Sequence, residues 1–523
     1  MIENTLMNKP IRTRFAPSPT GALHIGSIRT ALFAYLFARH NKGQFVLRIE
    51  DTDRARFVDG AIEQIISIMQ RMGLNYDEGI FFENNQLVSK GDFGPYLQSE
   101  RLEIYHEHAK KLIEAKYAYY CFCDEQRLSD LRKEQEALKL APMYDRKCRN
   151  LSKEEVQKNL DSGMPHVVRQ AIPEAGKTEA DDLVYGHITW ENKLIDDQVL
   201  LKSDGFPTYF LAVVVDDHLM QISHVVRGEE WLPSTPKHVL LYKAFGWNVP
   251  IFAHLPIVLN KDRSKLSKRQ GDVAAQDFLD KGYLEEALLN FLVLLGWNPK
   301  TEQEIFILDE LIEQFDFSKV NKAAPVFDID KLDWLNGLYL RSMDSSKLTE
   351  LLVPYLVAAG HISYTASIID KNLPETFLTK TGKTVSKDFI VKIVEIEKER
   401  LKKLSEIGDR VQFFFETPKY DPSILIWRKS NLEKTKENLS ELLEALKEFD
   451  ENIFSSRNIF EEQIKKFIAE KGLDNGSVLW PLRVALSGSE FSPSPFEITE
   501  ILYLGYGKYE VLERIDAAIK ALA

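Results

Sequence analysis

The chain has 523 residues, too many for one ordinary core, and at roughly 150 residues per domain it should divide into about three or four. Average apolar content with ordinary Gly and Pro excludes a disordered or fibrous chain, and no run approaches the roughly 18 apolar residues of a membrane span. Three cysteines suit a reduced compartment, so the cytoplasm is the expected location, while a formal charge of −12 disfavours phosphate binding over the whole surface but leaves a local basic groove open.

In chain order, Ile11 to Phe15 reads as a short strand, followed by the turn-rich Ala16-Pro17-Ser18-Pro19-Thr20-Gly21 and a helix from about His24 to His40. Leu32, Phe33, Leu36 and Phe37 recur along it at helical spacing. Phe45 to Ile49 is a second strand, ending in the charged run Glu50-Asp51-Thr52-Asp53-Arg54. This order opens a parallel α/β sheet, whose ligands sit at the carboxyl ends of the strands. From about Gln98 to Lys202, charged helices such as Glu125 to Leu140 alternate with short strand-like pieces, as in an inserted α+β domain. The α/β pattern resumes with the apolar run Tyr209 to Val215, a helix from Ser234 to Phe245 and the strand-like Ile251 to Leu259. Beyond about Lys331 almost everything reads as helix, with Lys- and Glu-rich faces.

Two segments carry chemistry. Gly21 through Gly26 has the spacing that opens a phosphate-binding P-loop, but Ser27 and Ile28 stand where that loop needs Lys and Ser or Thr, which argues against a P-loop nucleoside triphosphatase. What remains is a turn leading into a helix N-terminus, where free backbone N–H groups and the helix dipole favour an anion, with His24 as a mobile donor. Taken alone, His24 fits a surface or core-satisfied histidine more readily. The second segment, Lys261-Asp262-Arg263-Ser264-Lys265-Leu266-Ser267-Lys268-Arg269-Gln270-Gly271, is a basic loop just after a strand expected in the same sheet. Such clusters are usually solvated surface, but the pair could close on one triphosphate from both sides.

His24-Ile25-Gly26-Ser27 resembles the HIGH signature, and Lys265-Leu266-Ser267-Lys268-Arg269 the KMSKS signature, of class I aminoacyl-tRNA synthetases, in the right order and about 240 residues apart. Ser27 replaces the last His, a variant of the glutamyl branch. Arg14-Phe15-Ala16-Pro17-Ser18-Pro19-Thr20-Gly21, Arg48-Ile49-Glu50-Asp51-Thr52-Asp53, Leu201 to Tyr209 and Val215-Asp216-Asp217-His218 resemble the same branch, so that the blocks cover most of the first 340 residues. The resemblance implies a Rossmann-type catalytic domain in two halves, 1–97 and 201–262, around an insertion, 98–200, that holds the acceptor end. A stem-contact helical part would follow at 263–335, and an all-α anticodon-binding region at 336–523.

By the same resemblance the enzyme joins L-glutamate to tRNA(Glu) through a glutamyl-adenylate, using ATP with Mg2+. His24, Lys265 and Lys268 would be catalytic, with Gly26, Ser27, Glu230, Trp231 and Arg269 also on ATP. Arg14, Ala16, Ser18, Glu50, Tyr209 and Arg227 would line the glutamate pocket, Glu50 on the ammonium and the arginines on carboxylates. Val213 stands where some relatives carry Asn. Asp53 and Arg56 would lie where the terminal adenosine enters, and a monomer that needs its tRNA before activating glutamate is the family's habit. Trp480 to Gly488 resembles a block near the end of bacterial-type glutamyl enzymes, whereas glutaminyl enzymes end in β-barrels.

Cys121-x-Cys123 with Cys148 after 24 intervening residues matches the first three ligands of a zinc knuckle in some bacterial relatives. Asn150 occupies the fourth position, where His is expected, so the expectation is three reduced cysteines supporting the insertion without metal. A form that also charges tRNA(Gln) stays open. A binding module that lost catalysis fits less well, since it has no need for transition-state donors such as His24 and Lys268.

Overall fold

The computed structural model describes residues 10–266, 273–364 and 373–522. They form two compact units, one of residues 1–280 with 285–329 and one of 281–284 with 330–523.

The first unit opens with strand Arg12–Phe15, helix Ile25–His40 and strand Gln44–Leu47, paired in parallel from Arg12↔Gln44 to Phe15↔Leu47. Helix Ala61–Arg71 crosses to the parallel strand Glu78–Glu83, and the antiparallel Gln86–Lys90 closes this sheet. Helix Ile25–His40 buries Ile28, Leu32, Phe33 and Leu36 completely, because its apolar residues wrap most of its circumference and helices Glu285–Leu294 and Leu308–Gln314 cover the side away from the sheet.

A second sheet runs in the order His224–Gly228, Ile251–Leu255, Lys177–Asp182, Gly186–Glu191. The basic loop follows a strand of this sheet, so the two signature segments belong to separately hydrogen-bonded sheets instead of the single one expected. The facing edges meet where the Ser223 N–H donates to the Arg12 carbonyl at 3.0 Å, and beyond that point side chains replace the backbone ladder. The splayed edges leave room for a cleft at the strand ends.

The hairpin Lys177–Glu191 lies within the stretch read as an insertion, yet it extends the second sheet through the parallel pair Phe252↔Asp182. The remainder of that stretch builds its own antiparallel sheet, Ala118–Cys121, Val167–Gln170 and Val199–Leu201, with helices Leu102–Glu114, Glu125–Ala137 and Lys153–Asp161. The run from Tyr209 is a helix, Tyr209–Leu219, despite three consecutive valines that favour strands. Tertiary context decides it: the run is buried, and its last turn carries Asp216 and Asp217 to buried arginines.

The second unit is a bundle of helices from Ile329–Ser342 to Lys508–Ala521, with helix Asn475–Ser487 ended by Gly488 at φ 68°. Inserted in it is a small antiparallel sheet, Ile362–Ser363, Thr376–Thr379 and Thr384–Ser386, which the helical reading did not anticipate. Among the described residues no helix is long and apolar enough to cross a membrane.

Candidate active site

A cleft of about 1000 Å³ opens at the carboxyl ends of strands Arg12–Phe15 and His224–Gly228. Its walls bring together Arg14, Ala16, Ser18, Glu50, Tyr209 and Arg227 with His24, Gly26, Ser27, Glu230, Trp231 and Lys265, and Asp53 and Arg56 also line it. Lys268 and Arg269 lie outside the described residues. Val213 is buried in the core behind Tyr209, away from the cleft wall.

At one end, the described residues that flank the basic loop are tied down. The backbone N–H of Leu266 bonds the Val258 carbonyl at 3.0 Å, and Lys265 bridges to Leu259, which holds the start of the basic loop against the segment that follows strand Ile251–Leu255. The chain returns at Val273 to Ala275 against the His24 turn, where Ile25 N–H bonds Val273 O at 2.8 Å and Ala275 N–H bonds Leu23 O at 2.9 Å. The described flanks, Lys265–Leu266 and Val273–Ala275, are therefore each held by backbone bonds.

The expected free N–H groups of the helix N-terminus are not free. Ile25 donates to Val273 O, Gly26 to Nδ1 of His24 at 2.9 Å, and Ser27 and Ile28 to His24 O. An anion here meets the helix dipole and side-chain donors, with the first-turn amides already engaged. His24 is likewise no mobile donor: it is the N-cap, and its Nδ1 must accept from an amide, so the neutral ring carries its proton on Nε2. Gly26 permits this close approach, since a Cβ there would stand 3.1 Å from Nδ1.

The other end is a buried charge network. Arg14 donates through Nε to Asp217 at 3.0 Å and through Nη1 to Val226 O at 3.3 Å, which leaves three of its five N–H groups without a partner among the described residues. Asp217 also takes Arg48 Nη1 at 2.8 Å, and Arg48 reaches Glu50 at 3.1 Å. Burial raises the Glu50 carboxyl above its ordinary range, against the pull of Arg48 and Arg14. For Asp217 burial acts the same way, but Arg14 and Arg48 outweigh it and hold the carboxyl low. The Tyr209 ring packs against Trp231, with centroids 4.2 Å apart, and its hydroxyl accepts from Arg227 at 3.2 Å. Glu230 folds back over Gly228, where any Cβ would overlap its carboxylate. Asp53 and Arg56 pair with each other on the exposed rim at 2.6 Å, a contact worth little in solvent.

Asp182, His238 and His254 escaped the sequence reading, although they surround Arg227. No local pattern marks them, because they come from three separate elements; only a histidine inside the apolar strand Ile251–Leu255 hints at a polar task.

In the insertion, Cys121, Cys123 and Cys148 gather their sulfurs within 4.8 Å of one another. The Tyr144 hydroxyl lies beside them, 3.3 Å from the sulfurs of Cys121 and Cys123. Sulfur ligands around tetrahedral zinc stand about 3.8 Å apart, given Zn–S bonds of about 2.3 Å, so three thiols and a phenol fit one ion. Hydrogen bonding from Cys148 pushes the Cys121 thiol down, and the same bond pushes Cys148 up.

In the second unit a cleft of about 690 Å³ is lined by Lys380, Arg400, Arg410 and Lys419, with Glu397 and Phe491.

Residues 10–334 match the family of tRNA synthetases class I (E and Q), catalytic domain, and residues 347–519 an anticodon binding domain. The chain is 44% identical to a glutamate–tRNA ligase of Alkaliphilus metalliredigens over 97% of its own length and 98% of the relative's. It is 45% identical to that of Clostridium tetani, with 98% of each covered. Among solved structures it is similar to a glutamate tRNA ligase from Elizabethkingia meningosepticum in complex with its amino acid, at 35% identity and a TM-score of 0.85 over 98% of this chain and all of that one. The chain belongs to the glutamate–tRNA ligase family of class I aminoacyl-tRNA synthetases.

Proposed function

We propose that this protein ligates L-glutamate to tRNA(Glu), with ATP cleaved to AMP and pyrophosphate. The observation that carries the reading is one cleft with Arg14, Arg227 and Glu50 at its buried end and His24 and Lys265 at the other. Two guanidinium groups and one carboxylate complement the two carboxylates and one ammonium of glutamate, and a neutral glutamine side chain leaves one arginine facing an amide.

The α-carboxylate then attacks the α-phosphorus of ATP in line, and negative charge grows on the phosphate oxygens. Nε2–H of His24 and the ammonium of Lys265 are assigned to stabilise it, and Lys268 and Arg269 take the same task by their place in the signature. ATP enters as its magnesium complex, as is general in the class. Gly26 and Ser27 line the triphosphate side, while Glu230 and Trp231 are assigned to the nucleoside. Ala16 and Ser18 border the amino acid, and Asp53 and Arg56 the incoming RNA end.

For the RNA we assign the insertion, less its hairpin at 177–191, to the acceptor end, 263–335 to the stem and 336–523 to the anticodon. The cluster of Cys121, Cys123, Tyr144 and Cys148 is assigned one structural zinc ion, which would tie two distant parts of the insertion together.

Pyrophosphate exchange measured over all amino acids, with and without tRNA, tests the reading. Exchange confined to glutamate and dependent on tRNA is expected; equal exchange with another amino acid overturns it.

A further inference from the structure

Arg227 is almost fully buried, and its surroundings differ from those of Arg14. Its Nε donates to Nε2 of His254 at 3.0 Å, Nη1 to Nδ1 of His238 at 3.0 Å and to the Tyr209 hydroxyl at 3.2 Å, and Nη2 to the Thr235 hydroxyl at 2.9 Å. These bonds use four of its five N–H groups and leave one on Nη2. Among the described residues none of its partners is a carboxylate.

A guanidinium only donates, so both histidines must accept. His254 therefore carries its proton on Nδ1, which donates to Asp182 at 2.6 Å. That carboxylate also takes the His254 backbone N–H at 3.0 Å and, on its other oxygen, the N–H groups of Val184 and Tyr185 at 2.9 and 2.8 Å. Four donors converge on Asp182, so it is held from both sides and in turn fixes the tautomer and plane of the imidazole. Burial lowers the pKa of His254, and burial followed by the charge of Arg227 does the same to His238, so both rings stay neutral.

An Asp–His pair suggests a general base, but the other nitrogen of His254 is occupied by the Nε–H of Arg227 and the side chain is wholly enclosed. It has no route to a reacting proton. Direct pairing of Asp182 with Arg227 would be the simpler structural solution, yet it would neutralise the guanidinium and repel an incoming carboxylate. A neutral imidazole between them orients Arg227 without cancelling its charge. We propose that His254, aligned by Asp182, is a positioning residue that holds Arg227 for the carboxylate of the amino-acid substrate. The proposal rests on the assignment of Arg227 to the glutamate pocket.

The test is aminoacylation by the full chain with tRNA, varying glutamate and ATP separately, for His254→Leu, His254→Gln, Asp182→Asn and Arg227→Gln. Leu removes the acceptor and leaves a buried guanidinium N–H unpaired, so the KM for glutamate should rise about 10- to 100-fold while that for ATP stays within about twofold. Gln places a carbonyl oxygen near the position of Nε2 and should restore glutamate KM to within about threefold. Asp182→Asn turns an amide NH2 toward one pair of donors and should raise glutamate KM as Leu does; it replaces Leu where that variant is not recovered folded. Equal effects of Leu and Gln, or parallel rises in both KM values, overturn the proposal. A raised glutamate KM in Arg227→Gln with none in His254→Leu overturns it alone, whereas an unchanged KM in Arg227→Gln removes the pocket assignment and the proposal together.

Discussion

Nδ1 of His24 accepts the backbone N–H of Gly26 at 2.9 Å, so one side chain caps helix Ile25–His40 while the same ring lines the cleft, where it is assigned to the phosphate. The two roles are separable by substitution. His24→Ala removes both, whereas His24→Asn keeps an oxygen that caps well but, being shorter, carries its amide N–H groups away from the position of Nε2. Both variants should lower kcat for adenylate formation by about 100-fold or more. Only Ala should also lose the cap, about 1 kcal/mol, seen as a lower Tm. An Asn variant with wild-type turnover would remove His24 from the chemistry.

Glu50 carries a cost of burial that its assigned role explains. Its carboxyl is raised by burial, so the folded state holds this proton more tightly than the unfolded chain does. The stability contributed by the group is therefore full below the unfolded pKa and lost as pH rises through the folded one. Substrate binding has the opposite sign, because only the carboxylate attracts an ammonium. On acidification, kcat/KM for glutamate should begin to fall above the ordinary carboxylate range, about tenfold per pH unit for one proton. Glu50→Gln should abolish that limb, raise glutamate KM and leave the protein no less stable to heat at neutral pH. A steady limb in the Gln variant would assign the titration elsewhere.

Which of these groups can be read before folding depends on how far their partners lie along the chain. The strand, turn and helix around His24 follow from apolar spacing and turn residues within 30 positions, and the structure keeps them with the helix starting at Ile25. What occupies the first-turn amides does not follow, because one acceptor is Val273 across the basic loop and another is the preceding side chain. Tyr144, assigned here as a fourth donor, is not legible in the sequence because ligand spacing is read in Cys and His, and it lies upstream of Cys148 instead of downstream at Asn150. The clamp on Arg227 is more distant still: His254 reaches it only because strands His224–Gly228 and Ile251–Leu255 pair with Arg227 opposite His254. Register of that kind is a property of the folded sheet.

The cysteine cluster gives a stoichiometric prediction. Protein purified without chelator should hold one zinc per chain by elemental analysis, and Cys148→Ser should lose it. Tyr144→Phe should retain the three thiolates but bind more weakly, since one ligand position is emptied. Both should raise the KM for tRNA more than those for glutamate or ATP, because the cluster lies in the insertion and the amino-acid pocket does not include it. Metal-free protein with full activity and unchanged Tm would leave the cysteines as packing alone.

Arg400 and Arg410 lie on either side of Glu397, at 3.6 and 3.9 Å, and both are about one-third exposed along the cleft of the second unit. Glu397 is buried and, among the described residues, neither of its oxygens accepts a hydrogen bond, so it lies between the two arginines without consuming their donors, of which Arg400 spends one on the Phe491 carbonyl at 3.2 Å. Donors left available in a cleft of an anticodon binding domain suit RNA, whose phosphates release counterions when they are neutralised. Arg400→Ala and Arg410→Ala should each raise the KM for tRNA while leaving tRNA-saturated kcat and glutamate KM near wild type. A residue that meets a phosphate should also reduce the slope of log affinity against log salt by about 0.7 to 0.9. A residue that meets a base instead should change the ratio of charging between purified tRNA(Glu) and tRNA(Gln) with little change in slope. An effect on neither slope nor ratio would place the RNA contact outside this cleft.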